Sequence, residues 1–425
     1  SKGVDNNYLL IEQEGFLNGF NIQSDTSISQ QNNTTGNNYY YSGQTDYTKP
    51  LGKTGKFEAG AKAQERNTDR DFDVNNYNLA TGIYEFNTFQ SNRFVYNERL
   101  LSLYGSYSNN IGKLGYQAGL RAEEALTKSN QRTTNQIYTY NYFNLFPSAY
   151  LSYKIKEINE FRVSYSRRIN RPDFGNLNPF IDYSDRFNIR AGNPYLRPEY
   201  INSYELSHVL TKSNWSFSST LYYRQTDNMI FRYRTMNDEG VTLLTFQNLA
   251  KAQSTGIELI ADLSLVKWWK VNTSFNFYQS QVDAGNVAEG LTNKNQSGNV
   301  KLMSNWKIKP GIDAQLSYNY QAPNITPQGT ILPMQALDAS LKKDVLKGKG
   351  NLSVRVSDVF NTRQFAIRTT GVNFTDEFVR KRESRIFFAT FTYRFGSMEN
   401  ISKKSNKKSG GREDGGTGGG TDDMQ

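Results

Sequence analysis

The sequence predicts an all-β protein, a transmembrane antiparallel β-barrel with about sixteen strands present. Three observations carry this reading. Segment after segment alternates apolar and polar residues with a period of two. The connections alternate between short and long. The tryptophans gather beside the short ones. The stretch 383–395 shows the first feature best. Phe387, Ala389, Phe391, Tyr393 and Phe395 fall on one face, and Phe388, Thr390, Thr392 and Arg394 on the other. In a sheet closed against lipid the greasy face looks outward and the polar face looks into a wet lumen. A closing strand of this kind must pair with the first strand of the barrel, because open edges leave backbone groups unsatisfied in hydrocarbon.

From the start of the chain, residues 8–23 form a first strand, and a polar loop follows at 24–37. Phe57, Ala59, Ala61 and Ala63 then oppose Glu58, Lys62 and Gln64. Leu101, Leu103 and Tyr107 begin a run of similar faces: Leu114 to Leu120, Ala149 to Ile155, then Phe161, Val163 and Tyr165. The second half repeats the design with Trp215 to Tyr223, Ile257 to Leu265, Val271 to Phe277 and Val300 to Ile308. Ile312 to Tyr318, Leu337 to Leu341 and Leu352 to Val356 complete it. Each greasy face runs about nine to eleven residues, the length a tilted strand needs to cross hydrocarbon.

Short turns are expected at 52–54, 112–113, 156–159, 212–214, 267–268, 309–311 and 347–349. Long polar loops are expected at 78–93, 129–141, 170–198, 283–296, 323–334 and 366–381. Short periplasmic turns facing long outer loops are a property of outer-membrane barrels, and large sandwiches rarely keep that asymmetry. Trp215, Trp268, Trp269 and Trp306 all lie in or near a short turn, where an interfacial aromatic belt wants them. The expected location is the bacterial cell outer membrane, with the lipid bilayer and lipopolysaccharide as surroundings.

Composition agrees. The 425 residues include 28 Tyr and 26 Phe, yet the hydrophobic fraction is only 36%. No run approaches the roughly 18 apolar residues of a membrane helix. Cysteine is absent, which excludes disulfides, thiolate metal sites and Cys nucleophiles. The formal net charge is +10. The charges of 397–425 balance, so the excess sits in the strand-rich part, where anionic headgroups or an anionic ligand would suit it. Nucleic acid, the other usual partner of a basic chain, is not expected, because the positives are scattered along the sequence.

Residues 166–199 read Ser166-Arg167-Arg168-Ile169-Asn170-Arg171-Pro172, then Leu177-Asn178-Pro179-Phe180, then Gly192-Asn193-Pro194-Tyr195-Leu196-Arg197-Pro198-Glu199. Thr255-Gly256-Ile257-Glu258 and Asp358-Val359-Phe360-Asn361 follow downstream. In this order the motifs resemble the barrel of the TonB-dependent receptor family of Bacteroidetes-type bacteria, more narrowly its outer-membrane β-barrel family. The tail, with Lys403-Lys404 and Gly418-Gly419-Gly420, is similar to that family's Lys-rich, then Gly-rich ending. The resemblance implies a barrel of about 22 strands around a plugged lumen. It also implies an N-terminal plug and a box that touches a TonB-type energy transducer. The chain carries neither, and its first strand would be about the seventh. It therefore reads as the C-terminal barrel portion, residues 1–397, followed by a disordered periplasmic tail at 398–425.

The resemblance implies energised uptake of a scarce nutrient such as a chelated metal, an oligosaccharide or a peptide. A passive porin-like channel with an inward-folded constriction loop is the alternative, as is a non-transporting scaffold or adhesin. No enzyme activity or cofactor is expected. His208 is the only histidine and reads as an interfacial ring, and no Gly-x-Ser-x-Gly elbow accompanies it. Loops on rigid barrels carry recognition, so Arg171, Arg186 and Arg190 in the longest loop are the ligand candidates. Asp69, Asp71 and Asp73 share a face and are weak metal candidates, but position 74 is valine where a calcium loop wants glycine. Inward Arg121, Arg162, Arg224, Arg355 and Arg394 are read chiefly as wall residues paired with acids such as Glu123 or Glu258. Phe387, Phe391, Tyr393 and Phe395 resemble the C-terminal aromatic signal read by the barrel-assembly machinery.

Overall fold

The computed structural model describes residues 2–13 and 28–395, apart from 184, 186, 288–291 and 372. Sixteen long strands form one antiparallel meander, each paired with its sequence neighbours in the wall. They are Lys2–Gln13, Ile28–Leu51, Gly55–Asn78, Asn92–Ile111, Leu114–Gln131, Gln136–Ile155, Asn159–Asn170 and Glu199–Lys212, then Trp215–Met236, Thr242–Val266, Trp269–Asp283, Thr292–Lys309, Ile312–Gln321, Met334–Val345, Gly350–Val356 and Phe387–Tyr393. The described part of the first strand stops at Gln13, so the remainder of the expected 8–23 segment lies outside the described residues. Among the described residues Phe387–Tyr393 pairs with Gly350–Val356, and no ladder joins it to Lys2–Gln13.

The register explains why the alternation in sequence becomes two surfaces. Directly opposed residues in a ladder share a face. Leu151 opposes Val163, Val163 opposes Leu206, Leu206 opposes Leu221, Leu221 opposes Ile257, and Ile257 opposes Phe277. One residue along, the row reads Ser152, Arg162, Ser207, Thr220, Glu258 and Asn276. The first row is open to the surroundings: Val163 is 51% exposed, Leu206 48% and Leu221 53%. A contiguous apolar band of this extent belongs against lipid. Phe387 and Leu302 stand on the same outer face and are exposed.

Two expectations require correction. The supposed loop at 24–37 is strand from residue 28 onward, because Ile28–Leu51 is laddered on both sides despite its Asn- and Gln-rich sequence. The backbone ladder holds these polar residues extended, and no greasy face marks them because they lie beyond the lipid. The supposed long loop at 129–141 shrinks to a turn at 132–135 between two strands that continue past the apolar band. Trp215–Met236 and Thr242–Val266 extend in the same way through the unassigned stretch 224–256.

The wall curls. Phe94 and Tyr96 pack with Leu177 and Leu196, and Phe174, Ile230 and Phe246 close the same cluster. Phe94 and Phe246 lie on strands six ladders apart, roughly 29 Å along a flat sheet. Only a sheet bent into a barrel wall brings them to one small cluster. A second, four-stranded sheet, built from Asn324–Thr326, Gly329–Ile331, Phe365–Thr370 and Thr375–Arg380, rises from the long connections. It is tied to the end of Trp215–Met236 by Arg234–Asp376 and by the Gln328 side chain, which donates to Arg234 O at 2.9 Å.

A loop folded across the barrel mouth as the candidate functional site

The connection 171–198 leaves the wall and folds over its inner face. Pro172, Pro179, Pro194 and Pro198 punctuate it, so it forms only one helical turn, Phe174–Leu177, and the short strands Ile181–Asp182 and Asn188–Ala191. Gly192 makes the closest backbone approach. Its N–H donates to Asn178 O at 2.7 Å, and a Cβ there would stand 2.5 Å from that oxygen. Asn193 then reaches the far wall, its Nδ2 donating to Phe246 O at 2.9 Å. Asn248 clamps Arg197 by accepting from its N–H at 2.8 Å and donating to its carbonyl at 2.9 Å. Glu199 accepts from Asn170 Nδ2 at 2.8 Å and from the Ile230 N–H at 2.6 Å. The residues of the motif thus pin one loop to two sides of the barrel.

Arg171 is the near-side pin. Its Nε donates to Tyr142 Oη at 2.8 Å, its Nη2 lies 2.5 Å from Glu123 Oε2, and Glu98 is 3.8 Å away. Glu123 is also paired with Arg121, whose Nη2 donates to Ser102 Oγ at 2.8 Å. Burial, then the Glu98 carboxylate, push the Tyr96 phenol above the usual tyrosine range. Arg171 therefore faces protein rather than the opening. Arg190 differs: it is exposed on Asn188–Ala191, which lies parallel to residues 242–244. Arg186 lies outside the described residues. Beside Arg190 stand two residues that the periodicity did not single out, Arg232 and Arg234. Burial, followed by the charges of Arg190 and Arg234, lowers Arg232 below the ordinary arginine value. Arg232 also stacks 6.0 Å over the Phe246 ring. Only the strictly alternating Arg232–Tyr233–Arg234 pattern hinted at this pair.

The other candidates resolve individually. Asp69 is gripped by Arg93 at 2.8 and 3.1 Å, and Asp71 is 4.0 Å from the same guanidinium. Burial and then Asp73 raise the Asp71 pKa. Among the described residues no three His, Cys, Asp or Glu side chains gather as metal ligands. His208 stacks on Phe161 at 4.6 Å on the outer face, with Nε2 3.1 Å from Asn159 Oδ1. Of the wall arginines, Arg121 pairs with Glu123 as expected. Arg162, Arg224 and Arg355 instead take Glu160 at 3.0 Å, Glu205 at 3.6 Å and Asp338 at 2.8 Å, and Glu258 is in no ion pair among the described residues. Phe387, Phe391 and Tyr393 project from the last strand, and Phe395 meets Tyr393 edge-on at 4.7 Å. The Asp358 motif is a buried turn cap. The Asp358 carboxylate accepts from Thr362 N at 3.0 Å, Arg363 N at 2.9 Å and Ser384 Oγ at 2.6 Å.

A curled antiparallel meander with a greasy outer band, a polar inner face and an in-folded mouth loop defines an outer-membrane β-barrel wall. The chain belongs to the outer membrane protein beta-barrel family, whose model matches residues 3–393. No curated protein matches it significantly. Among solved structures it is similar to the ferric citrate transporter FecA, with TM-score 0.63 and 13% identity over 93% of this chain and 57% of that one. It is similar to the copper transporter OprC, with TM-score 0.64 and 12% identity over 88% and 58%. It also matches the ferric yersiniabactin uptake receptor FyuA of Yersinia pestis, with TM-score 0.58 and 14% identity over 87% and 55%. At such identities the likeness is one of fold. The chain spans less than three-fifths of the length of each of these three.

Proposed function

We propose that this chain is the barrel portion of a TonB-dependent outer-membrane receptor, of about 22 strands in the whole protein, that takes up a scarce nutrient. The cargo class is a chelated metal, oligosaccharide or peptide, and a plug and transducer contact are supplied by the rest of the receptor. Residues 398–425 form its periplasmic tail. The observation that carries the reading is the mouth loop, which places Arg190 beside Arg232 and Arg234 on the inner side of the wall. Asp376 holds Arg234, which leaves Arg190 and Arg232 as the guanidiniums that attract an anionic cargo, for which a metal chelate is the simplest candidate. The fold shared with transporters of ferric citrate and copper supports the same class.

A passive channel is the second reading, favoured by the inward fold of 171–198. The test deletes the gene and measures accumulation of metal chelates, oligosaccharides and peptides, with and without a protonophore. Energised uptake predicts loss of one cargo in the deletion, loss on de-energising, and weakened uptake in R190A/R232A. Uptake that survives the protonophore favours the passive channel and overturns the proposal.

A further inference from the structure

The short-turn rim is sorted by charge in a way the linear sequence hides. Seven short turns lie at this end, and each carries a lysine in it or at its edge: Lys53, Lys113, Lys156, Lys212, Lys267, Lys309 and Lys347. All seven are exposed, and among the described residues none is in an ion pair. The turn residues themselves include no arginine and a single acid, Glu157. The opposite end mixes Asp238, Glu239 and Asp376 with arginines.

The tryptophans share the rim. Lys212 Nζ lies 5.2 Å over the Trp215 ring. Trp268 stacks on Trp269 at 6.2 Å, and Trp269 opposes Trp306 in the ladder. An open groove of about 900 Å³ runs between the turns at 267–268 and 310–311, lined by Lys267, Trp268, Trp306, Lys307 and Lys309. It is also lined by Asp313 and Asp344, whose carboxylates are shared with Lys342 at 4.0 and 3.7 Å. Trp306 stands on the lipid-facing side of its strand, opposite Ala314, and Ile308 lies exposed at the register shift beside it.

We propose that this rim is a docking surface for anionic phospholipid headgroups of the inner leaflet, with its best-formed seat in the 267–311 groove. Phosphates sit on Lys267 and Lys309 while acyl chains run along Trp306, Ile308 and Ala314. Lysines without acid partners supply the charge complementarity, and tryptophan at their side marks the headgroup level. A soluble acidic partner would not need apolar side chains continuous with the lipid band immediately beside the charges.

All four tryptophans lie at this rim, so intrinsic fluorescence reads it alone. The full chain is reconstituted in phosphatidylcholine vesicles containing an equal fraction of dibrominated phosphatidylglycerol or dibrominated phosphatidylcholine. The expected result is preferential quenching by the anionic lipid, with local enrichment of about fivefold per lysine contact in low salt, weakening as salt screens it. K212Q/K267Q/K309Q should erase the preference, and K212R/K267R/K309R should keep it, at unchanged strand content by circular dichroism. Equal quenching by both lipids in the unmutated protein overturns the proposal. So does a preference that survives the glutamine variant, or tighter binding of soluble polyglutamate than of anionic vesicles.

Discussion

Arg171 Nη2 meets Glu123 Oε2 at 2.5 Å across the seam between the in-folded loop and the wall. The Glu123 side chain is only 8% exposed and that of Arg171 22%. Removing one partner of a largely buried pair leaves the other uncompensated and costs about 3 kcal/mol. R171A should therefore free residues 171–198 for cleavage by a protease in detergent, while the wall strands stay protected. R171K should recover little, because an ammonium cannot reproduce the fork that meets Tyr142 and Glu123 together. Unchanged cleavage in R171A would show that the prolines and Asn248 hold the loop by themselves.

Asp358 supplies a pH dependence. Burial would raise its pKa, but hydrogen bonds from Ser384 and the Arg363 and Thr362 amides hold it below the ordinary carboxylate value. A depressed folded-state pKa contributes stability at and above the unfolded value, about 3.9, that is lost as pH falls through the folded one. Amide exchange in 357–386 should accelerate below that range. D358N should cost about 2 kcal/mol at neutral pH and remove the acid step. An acid step that persists in D358N would assign it to another carboxylate.

Gly256 opposes Tyr222, whose ring lies across it on the inner face. A Cβ at 256 would stand 2.6 Å from the Tyr222 hydroxyl and 2.7 Å from Phe277 O. The tyrosine can swing away, but the carbonyl belongs to the ladder. G256A should therefore lower the thermal midpoint in detergent, and Y222A should not restore it. Full rescue by Y222A would mean that the backbone approach is harmless.

The two faces predict opposite tolerance at neighbouring positions. Leu206 looks at lipid and Ser207 at the polar interior. L206R should cost about 2–4 kcal/mol near the midplane, whereas S207R should fold almost normally. Equal losses, read by denaturant unfolding in lipid vesicles, would contradict the assignment of faces.

Much of the wall was legible because lipid forces a strict rule on each strand. Leu151, Val163, Leu206 and Leu221 had to alternate, and they do. Ile28–Leu51 was illegible over its first half for the converse reason: water on both faces imposes no pattern, and only ladder pairing makes it a strand. The loop motif could be seen, but its role could not. Arg171 looked like an exposed ligand residue because its partners Glu98, Glu123 and Tyr142 arrive from three other strands. The turn lysines looked scattered for the same reason, as a meander places one per hairpin and only the barrel gathers them.

The strand Ile28–Leu51 holds 24 residues, about 79 Å of chain and about 60 Å of height once tilted. The hydrocarbon accounts for about 25 Å of that. The barrel is thus a chimney whose lip stands well clear of the bilayer, at the level where surface sugars crowd the cell. Whatever arrives there is met among those sugars, before it reaches the lipid surface.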